Sequence, residues 1–233
     1  MMCFTYAKKV IFAVSMNISV TEENYLKAIF SATYQSENRV GNQLIAESLA
    51  INPASVTEML RKLDEKKLIE YNRTNGAKLT KDGWMAAVKV IRKHRLWETF
   101  LVDHLNFTWD EVHEVAEQLE HIQSDKLLDE LATFLGNPGF DPHGDPIPDK
   151  KGKMPVIKSR LLSETAIGKK VKVVKVGDNT ASFLKYLDKQ GIALADHITV
   201  KEVQDFDKSL LVELKGKKEV YLSAEAAKKI MVE

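Results

Sequence analysis

The apolar residues in the first third of the chain recur every three or four positions in three successive segments, which is the spacing of amphipathic helices. The first segment begins at Thr21, whose hydroxyl can cap a helix. A shorter helix is predicted over residues 40–50, and a third begins at Pro53, because the fixed φ of proline suits the first helical position. Two short strands, residues 68–71 and 77–80, then flank a turn that ends in Asn-Gly, which predicts a β-hairpin. This order of elements predicts a winged helix-turn-helix domain.

A long helical pattern follows the hairpin. Residues 81–105 keep helical spacing throughout, and shorter helices are predicted over residues 109–122 and 124–135. Prolines and glycines then concentrate between residues 137 and 155, which predicts a linker. The rest of the chain alternates between apolar and polar residues, as a small β-barrel of the SH3 type does, with one helix inserted. The predicted strands are residues 170–176, 197–203, 210–214 and 219–222, and the predicted helix is residues 179–190.

The fold class is therefore mainly α with α+β parts. The predicted parts are a disordered or wrongly assigned N-terminal extension (1–16), a winged helix-turn-helix DNA-binding domain (17–80), a helical domain (81–140), a Pro/Gly-rich linker (141–155) and an SH3-like domain (156–233).

The composition, with 44% apolar and 29% charged residues, is that of a soluble globular protein. The one cysteine, Cys3, excludes an internal disulfide and suits a reducing compartment. No apolar run reaches the ~18–20 residues that a bilayer span needs. We therefore expect a cytoplasmic protein that does not enter a membrane.

The third helix is the predicted DNA-reading element, because the N-terminal residues of the second helix of a helix-turn-helix enter the major groove. The residues predicted to contact DNA are Asn42, Gln43, Pro53, Ala54, Ser55, Thr57, Glu58, Arg61 and Arg73. Residues 17–80 hold eight basic and eight acidic residues, whereas DNA-binding domains are usually basic. The alternative that these are ordinary exposed helix residues stays open, and a neutral domain alone should bind DNA weakly.

Histidine and glutamate residues gather within residues 81–140. Four of them, between residues 111 and 121, fall on one helical stripe, and two more form an i,i+4 pair one helix earlier. These candidate metal ligands are His94, Glu98, His113, Glu117, Glu120 and His121. The same segment carries eleven acidic and only six basic residues. Imidazole and carboxylate without cysteine suit Mn(II), Fe(II) and Zn(II), so the pattern predicts a divalent metal site.

The sequence resembles the diphtheria-toxin-repressor and manganese-transport-regulator family of metal-dependent transcription factors. The resemblance runs from residue 20 to the C-terminus and rests on Thr-Glu-Glu-Asn-Tyr-Leu-Lys-Ala-Ile (21–29), Pro-Ala-Ser-Val-Thr-Glu-Met-Leu (53–60), Arg-Lys-His-Arg-Leu-Trp-Glu (92–98), Glu-His-Ile-Gln-Ser-Asp (120–125) and Asp-Pro-His-Gly-Asp-Pro-Ile-Pro (141–148). It implies a repressor of metal-uptake genes that binds a palindromic double-stranded operator as a metal-loaded homodimer, with residues 81–140 as the metal-binding and dimerisation domain. The C-terminal module is similar to the family's SH3-like domain, which is related to a ferrous-iron-transport accessory (FeoA-like) domain.

The resemblance also implies two metal sites. The ancillary site would be His94, Glu98 and His113, and the effector site would be Glu117, Glu120, His121 and Asn24. Glu117 stands where the iron-responsive branch has cysteine, which favours Mn(II) over Fe(II) as co-repressor. Lys27 stands where the two-site manganese regulators have glutamate, which argues against their binuclear centre. Asp178, Asn179 and Ser182 lie near the region where the SH3-like domain of relatives can add a ligand.

Two other classes of function stay open. A winged-helix regulator that responds to a signal other than metal would have the same fold. A helical metalloenzyme could use the same ligands, and His113-Glu114 begins like a zinc-peptidase motif, but Glu117 stands where its second histidine would be. Since no nucleophile, second general base or oxyanion donor is recognisable nearby, we expect that the protein is not an enzyme.

Overall fold

The computed structural model describes residues 18–34 and 38–233, so the predicted extension over residues 1–16 lies outside the described residues. The helices are α1 (Val20–Thr33), α2 (Asn42–Ser48), α3 (Pro53–Glu65), α4 (Lys81–Leu105), α5 (Val112–Leu119), α6 (Asp125–Phe134), α7 (Ala181–Gln190) and α8 (Ala224–Ala227). The strands are β1 (Ile69–Asn72), β2 (Gly76–Leu79), β3 (Arg160–Leu161), β4 (Lys170–Val176), β5 (His197–Val203), β6 (Leu210–Glu213), β7 (Glu219–Leu222) and β8 (Ile230–Val232). Within the described ranges, a helix with the length and hydropathy of a bilayer span is absent.

Helix α1 begins two residues earlier than predicted, because Ser19 and not Thr21 caps it. The Ser19 hydroxyl accepts the backbone N–H of Glu22, and the Glu22 carboxylate accepts the backbone N–H of Ser19, which is a capping box. At α3 the prediction is confirmed: Pro53 is the first helical residue, and the Asn52 side chain caps the helix. These caps fix where α1 and α3 begin.

The wing, formed by β1 and β2, differs slightly from the predicted hairpin. Asn72 pairs with Gly76, so the loop has three residues and Gly76 belongs to the second strand, with a φ of 82°. Val40 forms a bridge to Ala77 and extends this small sheet. The second helix therefore begins at Asn42 and not at residue 40.

Helix α4 is a continuous rod of 25 residues that joins two parts of the molecule. Its first half contributes to the apolar core of the winged helix, and its second half contributes to two smaller cores with α5 and α6. Near its start, Gly83 lies so close to the wing that a Cβ there would overlap the carbonyl oxygen of Leu68. The wing and the helical domain are thus packed on one rigid element.

The C-terminal domain is a six-stranded antiparallel sheet in the order β3-β8-β4-β5-β6-β7. Inward-facing aliphatic residues of the sheet and of α7 form the apolar core of this domain. The sequence predicted β4, β5, β6 and β7, but not β3, β8 or α8. β3 and β8, with two and three residues, are too short to show an alternation, and α8, with four, is about one helical turn.

Residues 141–148, predicted as part of a linker, pack against α4. Arg92 Nη1 donates to the carbonyl oxygen of Pro148, and Arg95 Nη1 donates to that of Pro146, both at 2.5 Å. From the other side, the backbone N–H of Val176 in β4 donates to the carbonyl oxygen of His143 at 3.0 Å. Proline has no backbone N–H, so its carbonyl oxygen is the one backbone group through which it can be held by a hydrogen bond. The linker prediction is wrong here, because the α4 arginines use those carbonyls to hold the segment in place.

Candidate metal centre and DNA-binding face

The middle of α4 carries charged side chains that are almost completely buried. Arg92, Lys93, His94 and Glu98 are each at most 8% exposed. A buried charge is costly unless it is paired and hydrogen-bonded. The partners of the last two residues define the candidate metal centre.

Glu98 lies among three imidazoles. Its Oε1 is 2.9 Å from His94 Nε2 and 3.4 Å from His113 Nδ1, and its Oε2 is 3.8 Å from His143 Nδ1. Asp141 completes the group. Ligand atoms of Glu98, Asp141 and His143 lie within 4.8 Å of one another, as do those of His94, Glu98 and His113. We call these five residues, which come from α4, α5 and the segment 141–148, the Glu98 cluster.

The ring of His143 is oriented by the backbone. Its Nε2 donates to the carbonyl oxygen of Trp109 at 2.7 Å, and a carbonyl can only accept. In the described part of the chain, the buried Nδ1 has no hydrogen-bond partner. It faces the Glu98 carboxylate at 3.8 Å, beyond hydrogen-bonding distance. A histidine whose other nitrogen is held by a carbonyl is the usual arrangement of a metal ligand.

Without a divalent cation, protons balance the charge of the Glu98 cluster. Burial lowers the pKa of His94, but the charge of Glu98 and hydrogen bonds to carboxylates outweigh burial and raise this pKa to about 9. Burial likewise opposes protonation of His143, and its interactions with Glu98 and Asp141 raise the pKa to about 9. Burial raises the pKa of Asp141 to about 7, and neighbouring carboxylates act in the same direction. The cluster therefore holds more protons than the same groups would in water.

A second group surrounds the ammonium of Lys27 on α1. The Nζ lies 2.6 Å from Glu117 Oε1, 2.7 Å from Glu120 Oε2 and 3.3 Å from His94 Nδ1. We call Lys27, His94, Glu117 and Glu120 the Lys27 cluster. His94 belongs to both clusters, because its Nε2 faces Glu98 and its Nδ1 lies 2.6 Å from Glu120 Oε2. The two clusters together connect α1, α4 and α5.

The four predicted effector ligands do not meet in one group. Glu117 and Glu120 contact the Lys27 ammonium, whereas His121 Nδ1 lies 2.7 Å from Glu23 Oε2 and its Nε2 lies 3.8 Å from Glu120 Oε1. The reason is that α5 ends before residue 120, so His121 no longer follows the helical stripe. Asn24 lines a cavity between α1 and α3, and its Oδ1 has no hydrogen-bond partner among the described residues. A joint role of these four residues as ligands stays a prediction.

The sequence pattern does not single out Asp141, His143 and Glu23. The prolines and glycine around the first two favour a linker, and the one available signal is the two-residue spacing of carboxyl and imidazole groups in Asp-Pro-His-Gly-Asp. Glu23 lies in the first turn of α1, where the helix dipole favours any acid. An acid at that position is therefore expected without any partner, and the sequence does not indicate its contact with His121.

The predicted DNA-reading residues lie in two environments. Most are exposed, and two are engaged with each other: the Asn42 Nδ2 donates to Thr57 Oγ1 at 2.9 Å and to the Tyr71 hydroxyl at 3.2 Å. The Gln43 side chain donates to Glu47. The exposed candidates are Gln43, Pro53, Ala54, Ser55, Glu58, Arg61 and Arg73. Asn42 and Thr57 thus brace α2 against α3, and a direct role of either in DNA contact stays a prediction.

Helix α4 joins a winged helix-turn-helix to a buried imidazole–carboxylate cluster. This combination is that of a metal-binding, DNA-binding protein. Residues 17–77 match the family described as "Iron dependent repressor, N-terminal DNA binding domain", and residues 80–149 match its "metal binding and dimerisation domain". The chain belongs to this iron-dependent repressor family, which confirms the resemblance found in the sequence. Residues 160–233 match the FeoA domain. The members of the family are transcriptional repressors, so the prediction that the protein is not an enzyme is also confirmed.

Relatives cover different shares of the chain. The iron-dependent repressor IdeR of Mycobacterium tuberculosis H37Rv is 33% identical over 128 residues, which are 55% of each protein. A probable metal transport system membrane protein of Chlamydia trachomatis is 44% identical over 75 residues, 32% of this chain and 17% of that protein. The matched region thus spans about half or less of the length of these curated relatives.

Solved structures match nearly the whole chain. A manganese-dependent transcriptional repressor in complex with manganese superposes with a TM-score of 0.83 at 36% identity and covers 91% of this chain and 98% of that one. The manganese regulator SloR superposes with a TM-score of 0.72 at 32% identity and covers 91% of this chain and 97% of that one. These similarities confirm the predicted fold class.

Proposed function

We propose that the protein is a manganese-dependent transcriptional repressor of metal-uptake genes that binds a palindromic DNA operator as a homodimer. The observation that carries the proposal is the buried Nδ1 of His143, which has no hydrogen-bond partner among the described residues and lies close to Glu98 and Asp141. A ring nitrogen with a lone pair and two carboxylates repel one another when they converge without a proton or a cation between them. A divalent ion removes this conflict, and its charge is the chemistry that it supplies.

The Glu98 cluster provides the ligands. His94 and His113 lie near one carboxylate oxygen of Glu98 and His143 lies near the other, and a ligand atom of Asp141 lies within 4.8 Å of those of Glu98 and His143. All these donors are nitrogen or oxygen atoms, a set that suits Mn(II) and Fe(II). The similar repressor solved with manganese supports Mn(II). Because a relative from M. tuberculosis is an iron-dependent repressor, Fe(II) is the alternative metal that the test must include.

A homodimer is supported by apolar side chains left exposed at the end of α4 and on α6. Leu105 is 50% exposed, Leu127 is 40% exposed and Phe134 is 64% exposed. The Phe134 ring lies 4.8 Å from that of His104 and 6.0 Å from that of Phe100, so it extends an aromatic surface. Exposed apolar surface of this kind marks interaction sites. Two copies joined there would each present one winged helix to DNA.

Metal can influence DNA binding through α4. The wing packs on the first turn of this helix, and the Glu98 cluster lies in its second half. Ligands from α5 and from residues 141–148 converge on Glu98. A metal ion that binds all of them would fix α5 and this segment against α4, the helix on which the winged helix packs. A tenfold to hundredfold change in operator affinity needs about 1.4–2.8 kcal/mol of coupling, which is within the usual range for allostery.

The test is a DNA-binding titration with controlled metal. A binding sequence is selected from random duplex DNA in the presence of Mn(II), and fluorescence anisotropy then follows binding in chelator, Mn(II), anaerobic Fe(II) and Zn(II). We expect tight binding with Mn(II), weaker binding with Zn(II) and a loss of at least tenfold in chelator. The Glu98→Gln variant should bind DNA as weakly in Mn(II) as in chelator, while Glu114→Gln, an exposed change on α5, should behave as the wild type.

Equal affinity of the wild type in chelator and in Mn(II) would overturn the metal switch and favour a regulator with another signal. Tightest binding with Fe(II) would support the metal switch but would make Fe(II), and not Mn(II), the co-repressor.

A further inference from the structure

Lys27 occupies a position that the surrounding groups would otherwise offer to a divalent cation. Ligand atoms of His94, Glu117 and Glu120 lie within 4.8 Å of one another, which is close enough to hold one ion. The Lys27 Nζ lies between them, at 3.3 Å from the imidazole and at 2.6 and 2.7 Å from the two carboxylates. The Glu120 side chain is fully buried and the Lys27 side chain is 19% exposed.

The ammonium and a divalent ion cannot share this space. A hard divalent cation bound to carboxylate oxygens lies roughly 2.0–2.6 Å from them, which nearly coincides with the Lys27 Nζ at 2.6 and 2.7 Å. Two cations at such separation would also repel strongly in a partly buried site. One of them must therefore leave before the other enters.

The lysine has an advantage that a dissolved ion lacks, because its stem comes from α1 and is already held. The neighbouring turn of α1 is fixed by Glu23, which contacts His121 at 2.7 Å and accepts from Gln123 at 3.0 Å. A tethered ammonium does not lose translational freedom when it pairs with Glu117 and Glu120, whereas a free ion does.

We propose that Lys27 is a built-in cation that excludes a divalent ion from the His94–Glu117–Glu120 position and holds α1 against α5 whether or not metal is bound. Metal then enters at the Glu98 cluster, and the Lys27 cluster contributes no metal position of its own. The inference goes beyond the proposed function, because it concerns metal number and metal-free structure and does not depend on DNA binding.

The experiment counts metal ions per subunit. Lys27→Met removes the ammonium at similar volume, Lys27→Arg keeps a positive charge, and Lys189→Met changes an exposed lysine on α7 as a matched control. Each protein is dialysed against Mn(II), and bound manganese is measured by elemental analysis. We expect Lys27→Met to bind one more ion per subunit than the wild type, and the other two variants to bind the wild-type number.

Thermal unfolding in chelator gives a readout that is independent of the metal count. Lys27→Met should melt at a lower temperature than the wild type, because Glu117 and Glu120 lose their cation. Mn(II) should raise its melting temperature by more than it raises that of the wild type. Lys189→Met should match the wild type under both conditions.

An unchanged manganese count in Lys27→Met, or an increased count in Lys27→Arg, would overturn the proposal. If Lys27→Met does not fold in chelator, it is refolded with Mn(II) and counted there, and a variant that manganese does not rescue also overturns it. These outcomes are separate from the proposed function, which fails if wild-type DNA binding ignores Mn(II) whatever the ion count.

Discussion

Raising the pH should destabilise the metal-free protein between about pH 6 and about pH 9. The folded state raises the pKa of His94 and of His143 from 6.5 to about 9, so each holds its proton more tightly when folded than when unfolded. The resulting stabilisation is complete below the unfolded pKa of 6.5 and is lost as the pH rises through about 9. Asp141, whose pKa rises from 3.8 to about 7, acts in the same direction at lower pH.

The expected magnitude follows from the pKa difference. A pKa change from 6.5 to about 9 in one histidine corresponds to roughly 3 kcal/mol of unfolding free energy. His94 and His143 share Glu98 as a partner, so we take the value for one histidine as the expected loss. The pKa of Glu98 stays well below its usual range, so its own charge does not change in this window. Domains of this kind are stable by only about 5–15 kcal/mol, so the loss should be easy to measure.

The assay is urea unfolding followed by circular dichroism, in chelator and in Mn(II), at several pH values across this range. In chelator the unfolding free energy should fall by roughly 3 kcal/mol. Manganese binds the deprotonated imidazoles, so its stabilising effect should grow with pH. His143→Gln should flatten the pH dependence, and His197→Gln, an exposed change on β5, should leave it intact. A metal-free protein with constant or increasing stability from pH 6 to 9 would refute the reasoning.

Three further changes test other parts of the molecule. Glu98→Gln should abolish manganese binding in calorimetry and lower the metal-free unfolding free energy by about 3–5 kcal/mol, because it removes the carboxylate that the buried imidazoliums of His94 and His143 share; unchanged values in either measurement would contradict the assigned centre. Phe134→Asp should convert a dimer to a monomer in light scattering, while a dimer that persists would move the interface elsewhere. Arg61→Ala on α3 should weaken operator binding by about 1–3 kcal/mol in anisotropy, and an unaffected affinity would remove Arg61 from the DNA-reading face.

The winged helix could be predicted because its signals are local. The start of α3 depends on Asn52 and Pro53, which are adjacent in sequence, and the wing depends on an Asn-Gly pair at the junction of a short loop and β2. Even the error at the start of α1 is a local one, since Ser19 and Thr21 are both suitable caps. The structure selects Ser19 because Glu22 stands three residues later and completes the capping box.

The metal centre could be predicted only in part, because its ligands are distant in sequence. His94 and Glu98 share one helix, and their i,i+4 spacing shows the pair. Asp141 and His143 meet Glu98 because contacts with α4, with β4 and with Trp109, all distant in sequence, hold the segment 141–148 in place. A pattern of prolines alone cannot distinguish a held segment from a linker. The predicted helical stripe also extended too far. The residues around Glu120 carry no local signal that α5 ends at Leu119, before His121.

The carboxylates of the two clusters are neutralised in different ways, and this difference limits which contacts metal binding can change. In the metal-free protein, protons on His94 and His143 balance the Glu98 cluster, and the Lys27 ammonium balances Glu117 and Glu120. A divalent ion at Glu98 would replace the protons and would leave the ammonium in place. A ligand shifts a conformational equilibrium only by its difference in affinity for the two states. The contact of α1 with α5 is then common to both states, so the coupling to DNA must come from α4, from α5 at His113 and from residues 141–148, which are the elements that meet at Glu98.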